Sequence, residues 1–104
     1  MFLSSAERKV YAYERAVDMR KSFDGLIALT RDVLGEEPLS GNIYVFVNRA
    51  QTMMKCLAWD RTGFVVVAKR LERGRFKLPG IGVKRELKES ILRLIFDGIP
   101  LGGC

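Results

Sequence analysis

The chain has no histidine, only two cysteines and three prolines, and no long apolar run. Each shortage removes a chemistry. Without histidine there is no Cys-His or Ser-His pair and no imidazole to hold a metal. Cys56 and Cys104 are too few for a thiolate zinc site. Cys104 is the last residue, so a structural disulfide is not expected, and this usage suits a reducing compartment. Apolar runs such as Phe64–Ala68 fall far short of a membrane span. Residues 1–9 have three leading apolar side chains, then Ser4, Ser5 and charge, which is not the pattern of a secretory signal. There is no Walker A motif and no GxGxxG. These absences point to a cytoplasmic protein with no membrane partner, no metal and no cofactor.

What is present is charge on an apolar frame. The chain has 104 residues, 48% of them apolar, with 18 Lys+Arg against 12 Asp+Glu and a net charge of +6. That length fits one domain, 1–104, able to bury a core without staples, with disordered ends expected at 1–7 and 101–104. The excess charge is local. Residues 1–48 hold 6 basic and 7 acidic groups, 49–88 hold 11 and 3, and 89–104 hold 1 and 2. The densest piece is Lys69–Lys77, KRLERGRFK, with five positive charges and one negative. A concentrated excess is the footprint of a polyanion partner. Charge alone does not separate that partner from a solvated basic face.

The hydrophobic pattern predicts an α+β domain in the order β-α-β-β-β-α, an antiparallel meander packed against two helices. Lys9–Tyr13 reads as a short strand. Asp18 is a good N-cap, and Met19, Phe23, Leu26, Ile27, Val33 and Leu34 fall on one helical face. Gly35 and Pro38 supply a stop. Ser40-Gly41 signals a turn before the β-branched and aromatic strand Asn42–Val47. Asn48–Thr52 reads as a loop. Met53–Asp60 and Phe64–Arg70 read as a hairpin joined by Asp60-Arg61-Thr62-Gly63. Arg73–Leu78 suggests a short edge strand after a bend at Gly74, followed by a loop at 79–82. Leu87, Ile91, Leu94 and Ile95 repeat at helical spacing, which predicts a helix over Val83–Phe96.

Two basic sites stand out on this frame. Arg20 and Lys21 follow the Asp18 cap, so they are expected in the first helical turn. The helix dipole disfavours bases there. One resolution is an anion site built from backbone N–H groups and two cations; the other is simple pairing with Asp18 and Asp24. In a strand, Arg73, Arg75 and Lys77 would share one side and could contact successive phosphates. Phe76 and Trp59 could each stack on a base, but both suit the core better. Met53 and Met54 read as core filler.

Catalysis has little support. Glu86-Leu87-Lys88 has the ExK spacing of some nucleases, yet that chemistry needs its acid on a strand and Glu86 lies on a helical pattern. Ile43–Val45 and Gly63–Val67 faintly resemble the two motifs of an RNA-recognition module. There a helix separates the motif strands, whereas here only a polar loop separates Val47 from Met53.

Asp18–Leu26, DMRKSFDGL, is similar to the DMRKGFDGL signature of a small bacterial transposon family. Ser40-Gly41 with its aromatic strand, Trp59-Asp60, KRLERGRF at Lys69–Phe76 and the closing Asp97-Gly98-Ile99 also match, in the same order. The chain thus resembles the TnpB accessory proteins of insertion-sequence family sixty-six, which are distinct from the RNA-guided nuclease of the same name. The resemblance implies a non-catalytic accessory factor encoded beside a separate transposase. Its expected partners are DNA, bound with weak sequence preference, and the transposase of the same element. The family's basic pair falls on Arg20 and Lys21, and its basic strand on Lys69, Arg70, Arg73 and Arg75. Its arginine-rich loop keeps Arg49 but has Ala50 and Gln51 where bases are common. Arg20, Lys21, Arg49, Lys69, Arg70, Arg73, Arg75 and Lys77 are therefore the candidate DNA-binding residues, and no catalytic residue is expected.

Overall fold

The computed structural model describes residues 8–76, 78 and 82–96. The predicted chain ends, Lys77, the loop at 79–81, Asp97-Gly98-Ile99 and Cys104 lie outside the described residues. Five strands form one mixed sheet in the order β4-β3-β2-β1-β5. They are β1 Val10–Ala16, β2 Ile43–Val47, β3 Met53–Trp59, β4 Phe64–Arg70 and β5 Lys84–Leu87. The helices are α1 Phe23–Asp32 and α2 Glu89–Phe96. The α+β class follows the sequence reading, and the run of elements departs from it by one added strand, β5.

β2, β3 and β4 are the expected antiparallel meander. β1 pairs parallel with β2, from Val10↔Ile43 to Ala12↔Val45, and α1 is the crossover between them. β2 is central and its five residues are all buried, as a strand covered on both faces must be. One face packs Tyr44, Phe46 and Leu57 against Leu26 of α1, with Val17 and Leu34. The other packs Ile43, Val45, Val47, Met54, Cys56 and Ala58 against Leu92 and Ile95 of α2, with Phe76 and Leu78. The molecule is therefore three layers deep, and each helix covers one sheet face.

Several boundaries differ from the sequence reading. α1 begins at Phe23, not at Asp18, and its N-cap Ser22 makes no side-chain hydrogen bond. Phe23 and Val33, counted on the apolar stripe, are 45% and 47% exposed. The helix does stop before Gly35, which takes a left-handed φ of 68° while Leu34 N–H donates to Leu29 C=O and Glu36 N–H to Thr30 C=O. Thr30 is fully buried, and its hydroxyl donates to Leu26 C=O at 2.8 Å.

The predicted helix over Val83–Phe96 is half strand. Lys84–Leu87 pairs antiparallel with β1, Val10↔Leu87 to Tyr13↔Lys84, and only Glu89–Phe96 is helical. Leu94, part of the predicted stripe, is exposed, while Leu92 is buried. The physical reason is tertiary. β1 needs a partner on its second side, and the KREL alternation supplies one whose Leu87 faces the α2 core. Two ion pairs fasten this strand: Arg85 Nε to the buried Glu14 Oε2 at 2.9 Å, and Lys84 Nζ to Glu36 Oε2 at 2.7 Å.

Among the described residues of 73–78 no strand forms. β4 ends at Arg70, and 72–74 form a bend at whose tip Gly74 has φ 74°. Leu71 N–H donates to Thr52 C=O at 2.7 Å and Phe76 N–H to Gln51 C=O at 2.6 Å. Phe76 is 1% exposed and belongs to the core. The segment is an irregular strap across the α2 side of the sheet, anchored by one aromatic side chain.

Candidate nucleic-acid interface

The end of the sheet where β1, β2 and β4 finish and where β3 and β5 begin gathers three loops. The first is 17–22, between β1 and α1. Val17 N–H donates to Val47 C=O, which fastens this loop to the end of β2. The second is 48–52, shaped by Asn48, whose Oδ1 accepts from Thr52 N–H at 2.9 Å and Met53 N–H at 3.1 Å. Its Gln51 holds a left-handed φ of 58°. The third is 71–76, tied to the second by the Leu71 and Phe76 amides. Parallel β1 and β2 end here at their carboxyl ends, where open sheets with crossover helices usually place ligands.

Seven of the eight candidate residues stand at this end. Arg20 and Lys21 are in the first loop, Arg49 in the second, Arg73 and Arg75 in the third, and Lys69 and Arg70 close β4. Lys77 lies outside the described residues. Arg20, Lys21, Arg49, Arg70, Arg73 and Arg75 are exposed. The strand face expected for Arg73, Arg75 and Lys77 is not seen among the described residues, because 73–76 form no strand. Arg70 lies opposite Met53 on the α1 side of the sheet, whereas Lys69 lies opposite Met54 on the α2 side. Phe76 holds the strap over that second side. The basic groups wrap around the sheet's end from one face to the other. A cleft of about 310 Å³ lined by Gln51, Arg75, Phe76 and Leu78 opens beside the strap.

The helix-start anion site takes a different form from the one expected. Arg20 and Lys21 precede α1 rather than occupying its first turn. Asp18 is not a helix cap but the centre of a tight turn. Its Oδ1 accepts from Arg20 N–H at 2.9 Å, its Oδ2 accepts from Arg20 Nη2 at 2.6 Å, and Lys21 N–H donates to Asp18 C=O at 3.0 Å. The Arg20 side chain, then its backbone amide, holds the Asp18 carboxyl down from 3.8 to about 2. A depressed carboxyl stabilises the fold fully above its ordinary value, and the effect fades as pH falls through the folded value. NMR titration of the Asp18 carboxyl is expected to show a midpoint near 2 and, in Arg20→Ala, a return toward 3.8.

Lys55, which was not among the candidates, organises this loop. It sits mid-strand on the α1 side, opposite Ala68, and its Nζ donates to Met19 C=O at 2.9 Å and to Lys21 C=O at 2.8 Å. A cation on the apolar side of β3 thus clamps the turn that presents Arg20 and Lys21. The Lys21 stem also packs on the helix where Gly25 leaves room: a Cβ there would lie 3.1 Å from Lys21 Cβ and Cγ. The available signal was the lone charge within MMKCLAW. Lys55→Met keeps the stem and removes both bonds. It is expected to cost about 1.5–3 kcal/mol in a urea melt and to speed amide exchange at 19–21.

The opposite sheet end is different. Trp59 is half-buried and packs edge-on against Phe64, with centroids 5.0 Å apart, so it is no open platform. Asp60 Oδ1 accepts from Thr62 N–H, Thr62 Oγ1 and Gly63 N–H, which closes the hairpin loop. Glu86 lies on a strand, against the helical reading that had counted against ExK chemistry. Asp60, the upstream acid, nevertheless lies in the loop after β3, and β3 is separated in the sheet from β5, which carries Glu86, by β2 and β1. Among the described residues no three acidic or cysteine side chains form a group able to hold a metal. Cys56 is buried and free, and burial pushes its thiol up to about 12, which leaves it inert as a nucleophile. No helix among the described residues is long and apolar enough to cross a membrane.

Fold and site together define a small α+β protein with a mixed sheet whose one end is dressed in basic loops. The chain belongs to the family described as IS66 Orf2 like protein, whose model matches residues 8–103. That is the accessory-protein family of the DMRK and KRLERGRF resemblance, not the RNA-guided nuclease. Among similar chains, the uncharacterized protein y4jC of Sinorhizobium fredii is 32% identical over 73 residues, covering 70% of this chain and 62% of its own length. The uncharacterized protein y4hO of the same organism is 35% identical over 79 residues, covering 76% and 69%. No solved structure matches.

Proposed function

We propose that this protein is a non-catalytic accessory factor of insertion-sequence transposition that binds DNA, alone or with the transposase, through the basic sheet end. The supporting observation is that Arg20, Lys21, Arg49, Arg73 and Arg75 stand on three loops at one sheet end, beside Lys69 and Arg70 of β4, with the first loop hydrogen-bonded to the sheet and the other two to each other. Arg20 and Arg70 already hold Asp18 and Glu72. Both pairs are exposed and therefore weak, so a phosphate can replace either carboxylate. No residue pattern in the sequence indicates base readout, so in this reading affinity rests on phosphate contacts and sequence preference is weak.

The test is a binding titration with duplex DNA at several salt concentrations. For about five neutralised phosphates, log affinity falls with log salt at a slope of about −4 to −5. Absence of binding at low salt, or a flat salt response, overturns direct DNA binding. A second reading is an adaptor that docks on an acidic patch of the transposase without touching DNA. The carboxylates of Asp18 and Glu72 interleaved among the bases favour it, since mixed charge suits a protein surface better than a bare polyanion.

A further inference from the structure

The two edges of the sheet are built differently. β5 closes one edge with four residues, three of them charged, and its cations are engaged by Glu14 and Glu36. Short, charged edges resist pairing with other strands. β4 forms the other edge and, among the described residues, has no such protection. It is seven residues long, contains no proline, pairs with β3 in unbroken register, and carries no charge from Phe64 to Ala68.

Its free hydrogen-bonding groups follow from the hairpin. Asp60 N–H donates to Gly63 C=O, so these two form a hydrogen-bonded pair. Alternation along the register then turns the amides of Val65 and Val67 toward β3 and those of Phe64, Val66 and Ala68 outward. Val65 and Val67 are half-buried and sit on the α2 side of the sheet, yet the described apolar cluster on that side does not include them.

We propose that β4 pairs with β4 of a second copy of this chain, antiparallel about a two-fold axis at Val66, to form a continuous ten-stranded sheet. The charge pattern selects this occupant and direction. The uncharged stretch Phe64–Ala68 is centred on Val66, so it covers itself: Phe64 faces Ala68 of the second copy and Val65 faces its Val67. Lys69 and Arg70 then fall opposite Gly63 and Thr62, which are uncharged. The two Lys69 backbones lie about 20 Å apart, at about 3.4 Å per residue, beyond the screening length of about 10 Å in 0.1 M salt. Parallel pairing would instead set Lys69 beside Lys69 and Arg70 beside Arg70. The two-fold closes the interface and buries the half-covered valines against each other. This pairing does not depend on what the basic end binds. It turns the two basic ends of the dimer in opposite directions along the strands.

Sedimentation velocity over a dilution series of the full chain tests it. Twice the chain mass at the high end, falling to the monomer on dilution, is expected. Val67→Lys is expected to raise the dissociation constant at least about thirtyfold, and Ala68→Pro, which deletes one outward amide, to abolish the dimer. Glu86→Gln, on the opposite edge, should leave it unchanged. Circular dichroism checks that the variants fold. If they do not, amide exchange of the wild type decides, since the N–H groups of Phe64, Val66 and Ala68 should gain protection as concentration rises. A monomer at every concentration, a dimer indifferent to both β4 variants, or outward amides that exchange at one rate throughout overturns the proposal.

Discussion

Replacing Arg73 and Arg75 together by Glu is expected to weaken DNA binding about a hundredfold in 0.1 M salt and to flatten the salt slope. The magnitude follows from counterion release. With about five contacts the slope is near −4.5, and losing two brings it to about −2.7. At 0.1 M that difference alone is worth nearly two orders of magnitude, and the introduced carboxylates add repulsion. The fold should survive, because both side chains are exposed. The strap is held instead by the buried Phe76 ring and by the amides of Leu71 and Phe76. A fluorescence-anisotropy titration at three or more salt concentrations reads both numbers. The same variant separates the two functional readings. If the protein docks only on the transposase, the double substitution abolishes co-purification with it, and the wild type shows no DNA affinity to lose.

The second large effect concerns the frame that positions the loops. Phe46→Ala is expected to destabilise the protein by about 3–5 kcal/mol, measured as a lower urea midpoint at unchanged slope. Domains of this size hold about 5–15 kcal/mol in total, so the variant should be partly unfolded near 37 °C. Phe46 is fully buried between α1 and the sheet, contacts Tyr13 edge-on with centroids 6.3 Å apart, and packs in the cluster of Val17, Leu26, Leu34 and Leu57. Val17 is also the residue whose amide anchors the 17–22 loop to β2. Loss of the Phe46 ring should therefore loosen the Arg20–Lys21 turn before global unfolding. Amide exchange at 17–21 would rise more steeply than in the strap.

Much of this molecule was legible from local pattern. The Asn42–Val47 strand, the hairpin over 53–70 with its Asp60–Gly63 loop, and the stop at Gly35 all depend on neighbours in the chain, and all appear where expected. Phe76 and Met54 are core, as their chemistry suggested. The misread positions share one cause. Val83–Phe96 has helical spacing, but β1 recruits its first half as a strand. Arg73–Leu78 alternates like a strand, but among the described residues 73–76 pair with no strand; the chain bends at Gly74 and Phe76 goes into the core. Asp18 looks like a cap, yet Arg20 lies two residues away and takes its carboxylate into a turn before a helix can start there. A single lysine in a strand such as Lys55 carries no local sign of a partner. Its two carbonyl acceptors are 34 and 36 residues distant.

By itself the sequence determined the α+β class, the excluded chemistries, the family and the two basic segments, because each is written in composition, short-range spacing or contiguous motif. The tertiary structure alone decided that the DMRK turn, the Arg49 loop and the KRLERGR strap meet at one end of the sheet. It alone decided that Lys55 clamps the first of them and that β4 is, among the described residues, an edge strand of the sheet. Those are consequences of strand order and parallel pairing, set by which faces bury together, and no local window of residues contains that information.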